Sequence, residues 1–380
     1  MATSQNPIES LEARALFSTA LPGPEFDVGG PGDFWGAGGR TVASDGNGNF
    51  VVEVSDGLGS NCDVHVRVFD GAGVPKTGWV LADAPDDLKT KFVPNVAMGA
   101  NGNFVVTWWQ TDNFVGGRLF NAAAQPIGPI FTVQKASSTA ASHPTPAMDD
   151  AGNFVVAWNA TQGGQGDEVY AQRYNAAGAA QGKKLTVNTY SSRGQHDPSV
   201  DVDADGDFLV AWTSQAQDGS GDGVYAQRYR RDGAKQGGEF RVNTTTAGGQ
   251  SGASVALDAA GDAVVVWQGP AADGTGAAWG QRYTAAGAPA GGEFRIDDPA
   301  DGGGAAPVVD AGRDGGFVVG WSHFVRAYDG AGQPLTGSVA IASGGPAGAP
   351  QVAALAGGGF VSVWARGTPA ELFGEVFILA

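Results

Sequence analysis

The chain has 380 residues, 42% of them apolar, with 62 glycines, ten tryptophans and a formal charge of −17. So acidic a chain, with no basic stripe, repels a phosphate backbone, which excludes nucleic acid as a partner. The single cysteine, Cys62, excludes an intrachain disulfide and a cysteine-based zinc site, and no apolar run is long enough to insert in a membrane.

Residues 1–20 read as a tail or a short helix, with Ile8, Leu11 and Leu16 roughly on one side after Pro7. The segment has neither a basic region nor an apolar centre, so no Sec signal peptide is expected. Gly23-Pro-Glu-Phe-Asp-Val28 then reads as a strand. Seven segments of one type follow: Phe50-Val-Val-Glu-Val54, Phe104-Val-Val-Thr-Trp108, Phe154-Val-Val-Ala-Trp158, Phe208-Leu-Val-Ala-Trp212, Ala263-Val-Val-Val-Trp267, Phe317-Val-Val-Gly-Trp321 and Phe360-Val-Ser-Val-Trp364. Their first residues are spaced by 54, 50, 54, 55, 54 and 43 residues. A recurring unit of that size, with strands and turns inside it, predicts a propeller or a solenoid.

Each unit is expected to hold four strands. Strand A precedes an Asp-x-x-Gly turn, as in Pro198-Ser-Val-Asp-Val202, and strand B is the Phe-Val-Val-x-Trp run. Strand C is Val169-Tyr-Ala-Gln-Arg-Tyr174 and its equivalents. Strand D centres on Phe26, Trp79, Phe131, Leu185, Phe240, Phe294 and Val339. In strand B, Phe154, Val156 and Trp158 face one way and Val155 and Ala157 the other. Both sets are apolar, so both faces are covered, which favours stacked blades over a sandwich. The seventh unit ends just after its strand-C aromatic, Phe377, while Gly23 to Val28 matches Gly237-Gly-Glu-Phe-Arg-Val242. The expectation is therefore an all-β, seven-bladed β-propeller of four-stranded antiparallel blades over residues 21–380, its N-terminal strand closing the last blade.

Residues 150–297 repeat Asp-x-x-Gly-x-Phe-Val-Val-x-Trp, Val-Tyr-Ala-Gln-Arg-Tyr and Gly-Gly-Glu-Phe-x-Val-Asn, and the other blades have drifted from it. This pattern resembles the propeller-type repeats of large secreted bacterial proteins, often associated with calcium-binding (RTX) modules. The resemblance implies the fold and an extracellular location, and it carries over no catalytic residue. Glu375-Val-Phe-Ile-Leu-Ala380 is similar to the acidic-then-apolar C-termini of type I secreted proteins, and it also reads as a last strand packed in the sheet.

Several side chains carry candidate chemistry. Asp201-Val-Asp-Ala-Asp-Gly206 and Asp218-Gly-Ser-Gly-Asp-Gly223 have the alternating oxygens that begin a calcium loop, and both also suit hairpin turns. Asp218, Ser220 and Asp222 are the candidate ligands for calcium, the only cofactor suggested. Arg173, Arg228 and Arg282 recur at one register, which favours a structural pairing over an acidic ligand. His143 and His196 fall one position apart in the aligned repeats, just before strand A, at a mouth of the central channel. Six tryptophans end strand B and belong to the core, whereas Trp35 and Trp109 fall in expected loops beside Phe34 and Phe114, as sugar platforms or covers for strand ends.

The D–A and B–C connections of a propeller emerge on one face, and here they differ from blade to blade. The A–B and C–D turns on the other face are short and uniform. Loops on a rigid scaffold are where binding residues concentrate, so Trp35, Trp109, Phe114, His143, Tyr190 and His196 are the candidate ligand-binding residues. The functional expectation is an extracellular, non-catalytic binding or adhesion module for a carbohydrate. The alternatives are a protein-binding scaffold, calcium-stabilised or not, and a glycan-cleaving enzyme, which needs two carboxylates roughly 5–10 Å apart in one cleft. The expected partner is a glycan or a cell-surface protein.

Overall fold

The computed structural model describes residues 20–30, 40–56, 62–84, 89–135, 141–161, 166–341, 349–367 and 371–379. They form seven antiparallel sheets, each with its strands in the order A-B-C-D. Strand B starts at Phe50, Phe104, Phe154, Phe208, Ala263, Phe317 and Phe360, the positions the spacing predicts. Blade 4 illustrates the unit: Gln195–Val202, Phe208–Gln215, Asp222–Tyr229 and Lys235–Arg241. The A strands of successive blades touch one another around a central channel, and those of blades 1 and 7 complete the ring.

Closure follows the expected route. Blade 7 contributes Gln351–Ala354, Phe360–Arg366 and Glu371–Leu379, and its outer edge is covered by Ala20–Pro22 and Phe26–Asp27 from the other end of the chain. The sequence suggested one strand from Gly23 to Val28; the structure has two pieces, separated at Pro24, which brings no N–H to the ladder. Phe26 stands opposite Gly374, as Phe294 stands opposite Gly280 and Phe131 opposite Gly117. In each pair the ring fills the space a Cβ would need, coming within 2.4, 2.7 and 2.5 Å of its position. The outer strand thus locks by an aromatic seated on a bare stretch of strand C. The proposed tail or helix lies in residues 1–19, outside the described residues, apart from Ala20, which opens the closing strand.

Each blade interface has its own apolar cluster. Phe154, Val156 and Trp158 pack against Ala97, Val105 and Leu119 of blade 2, while Val155 and Ala157 pack against Phe208, Val210 and Trp212 of blade 4. The period-2 alternation therefore delivers alternate residues of one strand to two different neighbours. The six strand-B tryptophans are at most 2% exposed.

The repeated polar residues serve the scaffold. Asp203 Oδ1 accepts the N–H groups of Asp205 and Asp207 at 3.0 and 2.9 Å, and Gly206 takes the left-handed φ of 88° that closes the A–B turn. Asp45 and Asp258 cap their turns in the same way. The Asn243 side chain accepts from Val224 N–H at 2.8 Å, and Glu239 accepts from Thr189 N–H of the preceding blade at 2.6 Å.

Candidate functional site

The first turn of each inner strand sets the geometry at the D–A end of the channel. In blades 3 and 4 the A strand carries a bulge, between Ser142 and Thr145 and between His196 and Ser199. The bulge residue has a left-handed backbone: Val93 (φ 45°), His143 (53°), Asp197 (52°), Gly252 (67°) and Ala306 (47°) share this register in five successive blades. Non-glycine residues in that region are strained and persist where the surroundings hold them. A proline follows Val93, His143, Asp197 and Ala306, and its ring fixes the φ of the next residue.

His143 and His196 therefore lie within strand A, not in the loop before it as the sequence suggested. The bulges bring them together through Asp197. Its Oδ2 lies 3.0 Å from His196 Nδ1, and its Oδ1 lies 3.7 Å from His143 Nε2. The hydrogen bond to His196 holds the Asp197 carboxyl below its ordinary range and raises the imidazole above its own. His143 Nδ1 is 3.1 Å from Ser142 Oγ, which accepts from Asn159, and Asn159 donates in turn to Asp167 at 2.9 Å. Two blades thus share one polar network at the rim of a cavity of about 400 Å3.

That cavity is walled by Asn95, Thr145, Ser199 and Gln351 from four different blades, and Arg40 reaches its floor. Arg40 also lines the cavity of about 390 Å3 at the opposite, A–B end, so it stands between the two mouths. Its Nη2 donates to Val255 O at 3.4 Å, and its Nη1 lies 3.9 Å from Asp201 and 3.6 Å from Asp310. The two aspartates take a register filled by Ala43, Ala97, Ala147, Ala256 and Ala353 in the other blades. Each caps the inner strand of the following blade, Asp201 accepting from Leu257 N–H at 2.7 Å and Asp310 from Ala354 N–H at 2.9 Å. Burial pushes Asp201 up to about 6 against the pull of Arg40, and it raises Asp310 in the same way. At the A–B mouth Arg313 of blade 6 pairs with Asp150 of blade 3, a bridge across the opening.

The remaining candidates are dispersed. Trp35 lies outside the described residues. Trp109, expected in a loop, is in strand B, which runs to Gln110. Its half-buried ring packs on Phe92 with centroids 4.7 Å apart, and its indole N–H is buried without a partner among the described residues. Phe114 folds back over Gly116, where blades 3 and 4 have Tyr170 and Tyr225, and so covers a strand that lacks a side chain. Tyr190 is half-buried, and its carbonyl accepts from Asn188 at 2.9 Å. Asp218 Oδ1 accepts Ser220 N–H at 3.0 Å, Oδ2 is buried without a hydrogen bond among the described residues, and Asp222 begins strand C. Among the described residues no three His, Cys, Asp or Glu side chains converge to hold a metal ion.

Sequence reasoning missed Asp197, Arg40 and Asp310. Asp197 had a signal, since it occupies the register of His143 in the next blade. Arg40 had one too, standing where five of the other blades have proline.

No protein-family model and no curated protein matches the sequence. Solved structures do match, at identities that speak to the fold alone. The polysaccharide lyase Uly1 superposes with a TM-score of 0.58 at 10% identity, covering 97% of this chain and 98% of the other. The WD40 domain of Toxoplasma gondii coronin gives 0.57 at 11% identity over 96% and 89%. The α-L-arabinanase of Penicillium chrysogenum, complexed with arabinobiose, gives 0.52 at 12% identity over 78% and 96%.

Proposed function

We propose that this propeller is an extracellular binding module whose ligand is a glycan, held on the D–A/B–C face at the mouth of the channel. The carrying observation is the His143–Asp197–His196 group on the rim of the D–A cavity, above walls that present hydroxyl and amide groups. Sugars offer many hydroxyls that donate and accept, and a carboxylate held ionised beside two imidazoles is suited to them. A cavity of this size lies within the range of small-ligand sites. Similar propellers whose names include a polysaccharide lyase and an arabinanase lend the reading further support. The extracellular placement rests on the likeness of blades 3 to 5 to repeats of secreted proteins.

A glycan-array screen with and without calcium tests the proposal. Binding is expected to fall at least about tenfold in Asp197→Asn and in His143→Ala, with the melting temperature little changed, because both side chains lie at the rim. Binding undisturbed by both substitutions would move the site elsewhere, and binding abolished by chelator would bring the Asp218, Ser220 and Asp222 loop into it.

A further inference from the structure

We infer that the ligand of the D–A cavity is acidic, a sugar bearing a carboxylate or a sulfate, and that Arg40 on the cavity floor reads its charge. This rests on the glycan reading and adds the class of glycan.

Arginine has five N–H donors in a fixed fork. Among the described residues the Arg40 side chain makes one hydrogen bond, to Val255 O at 3.4 Å. Its two carboxylate neighbours stand 3.6 and 3.9 Å away, beyond the roughly 2.7–2.9 Å of a charge-assisted bond. They are turned to other work, since Asp201 Oδ2 and Asp310 Oδ2 accept backbone N–H groups of the next blades. Asp201 and Asp310 hold the cation in the channel and leave its fork open. A carboxylate or sulfate can take two of those donors at once, a geometry that lysine or a lone N–H cannot offer.

The two mouths of the channel differ in charge. The A–B cavity is lined by Asp45, Asp149, Asp150, Asp203, Asp258 and Asp314, with Arg313 as the one basic side chain at that rim. An anion is repelled there, as it is by the chain as a whole with its formal charge of −17. Among the described residues the D–A cavity is lined by one carboxylate above Arg40, Asp197, and that carboxylate is engaged by His196 and faced by His143. On an acidic protein, this end of the channel is the approach to Arg40 that an anion can use.

The test is a titration of the whole chain with trigalacturonate and its methyl ester, and with a sulfated dextran oligosaccharide and its unsulfated parent. At least one acidic probe is expected to bind about tenfold more tightly than its neutral counterpart, and which of the two does so separates carboxylate from sulfate recognition. Arg40→Gln should bring that ratio close to one, Arg40→Lys should leave part of it, and His143→Gln should weaken both members of a pair while preserving their ratio. Should Arg40→Gln fail to fold, the wild-type ratio and Arg40→Lys still decide. Equal binding of charged and neutral members would overturn the inference and leave the glycan reading standing. Failure of all four probes, and of a glycan array, to bind would overturn both.

Discussion

In blades 3, 4 and 5 strand C ends in Gln-Arg-Tyr; in blades 1, 2 and 6 an arginine stands one residue earlier. The side chains of Arg173, Arg228 and Arg282 reach forward, donating to Arg231 O, Ala285 O and Ala331 O in the C–D turn of the following blade. Those of Arg67, Arg118 and Arg326 reach back, donating to Val28 O, Ala82 O and Ile296 O where strand D of the preceding blade ends. A shift of one residue turns a strand side chain to the other face of its sheet. Blades 1, 2 and 6 have therefore kept a tie between blades and exchanged the neighbour to which it runs. The seam between blades 5 and 6 is tied from both sides, whereas the seams between blades 2 and 3 and between blades 6 and 7 have no such arginine tie among the described residues.

The largest effect on the ring is expected at its closure. Blade 7 takes its outer strand from Ala20–Pro22 and Phe26–Asp27, so deleting residues 1–28 is expected to lower the melting temperature by many degrees, and deleting residues 1–19 to change it little. Equal small effects in a thermal melt would contradict the pairing of Phe26 with Gly374. The next test is Glu53 in blade 1, which fills a position held by Val266 and Val363 in blades 5 and 7. Glu53 is 1% exposed, neither carboxyl oxygen has a partner among the described residues, and burial raises its pKa well above the ordinary range. Glu53→Val should stabilise the protein by about 1–3 kcal/mol in urea melts at pH 7. A destabilised variant would mean that the carboxyl has a partner.

Asp201 gives a pH-dependent test in the channel. Its folded pKa of about 6 lies above the unfolded value, so its stabilising contribution is complete in acid and is lost as the pH rises through 6. Asp201→Asn should therefore lose less stability than the parent chain between pH 5 and 7.5, by roughly 1 kcal/mol. Parallel stability curves would remove Asp201 as the cause. The smallest effect separates the two kinds of arginine. Arg326 donates at 2.6 Å to Ile296 O and Ser338 Oγ and leaves one buried nitrogen, Nε, without a partner, whereas Arg228 donates from Nη1 alone and has two buried nitrogens without partners among the described residues. Burial also lowers the pKa of Arg228. Arg326→Met is expected to cost about 1–2 kcal/mol and Arg228→Met less than half of that. The reverse order in denaturant titrations would show that the forward-reaching arginines carry more of the seam.

Much of this architecture was legible locally. The start of strand B could be placed to the residue because alternation and Asp-x-x-Gly turns are properties of a few neighbouring residues. Phe26 betrayed the closure because it stands in the same setting as Phe240 and Phe294. Trp109 was misplaced because strand B runs beyond the repeated tryptophan, and nothing in Trp108-Trp109 marks where pairing stops.

By itself, then, the sequence determined the number of blades, the faces of their strands and the joining of the two ends, since period and turn chemistry act at short range. The candidate site was decided only by the ring. Asp197 meets His143 because two bulges in separate blades turn toward each other, and Arg40 meets Val255, 215 residues along the chain, because both lie on one channel. No local pattern encodes such meetings; they arise when seven sheets that bury both faces close around a single axis.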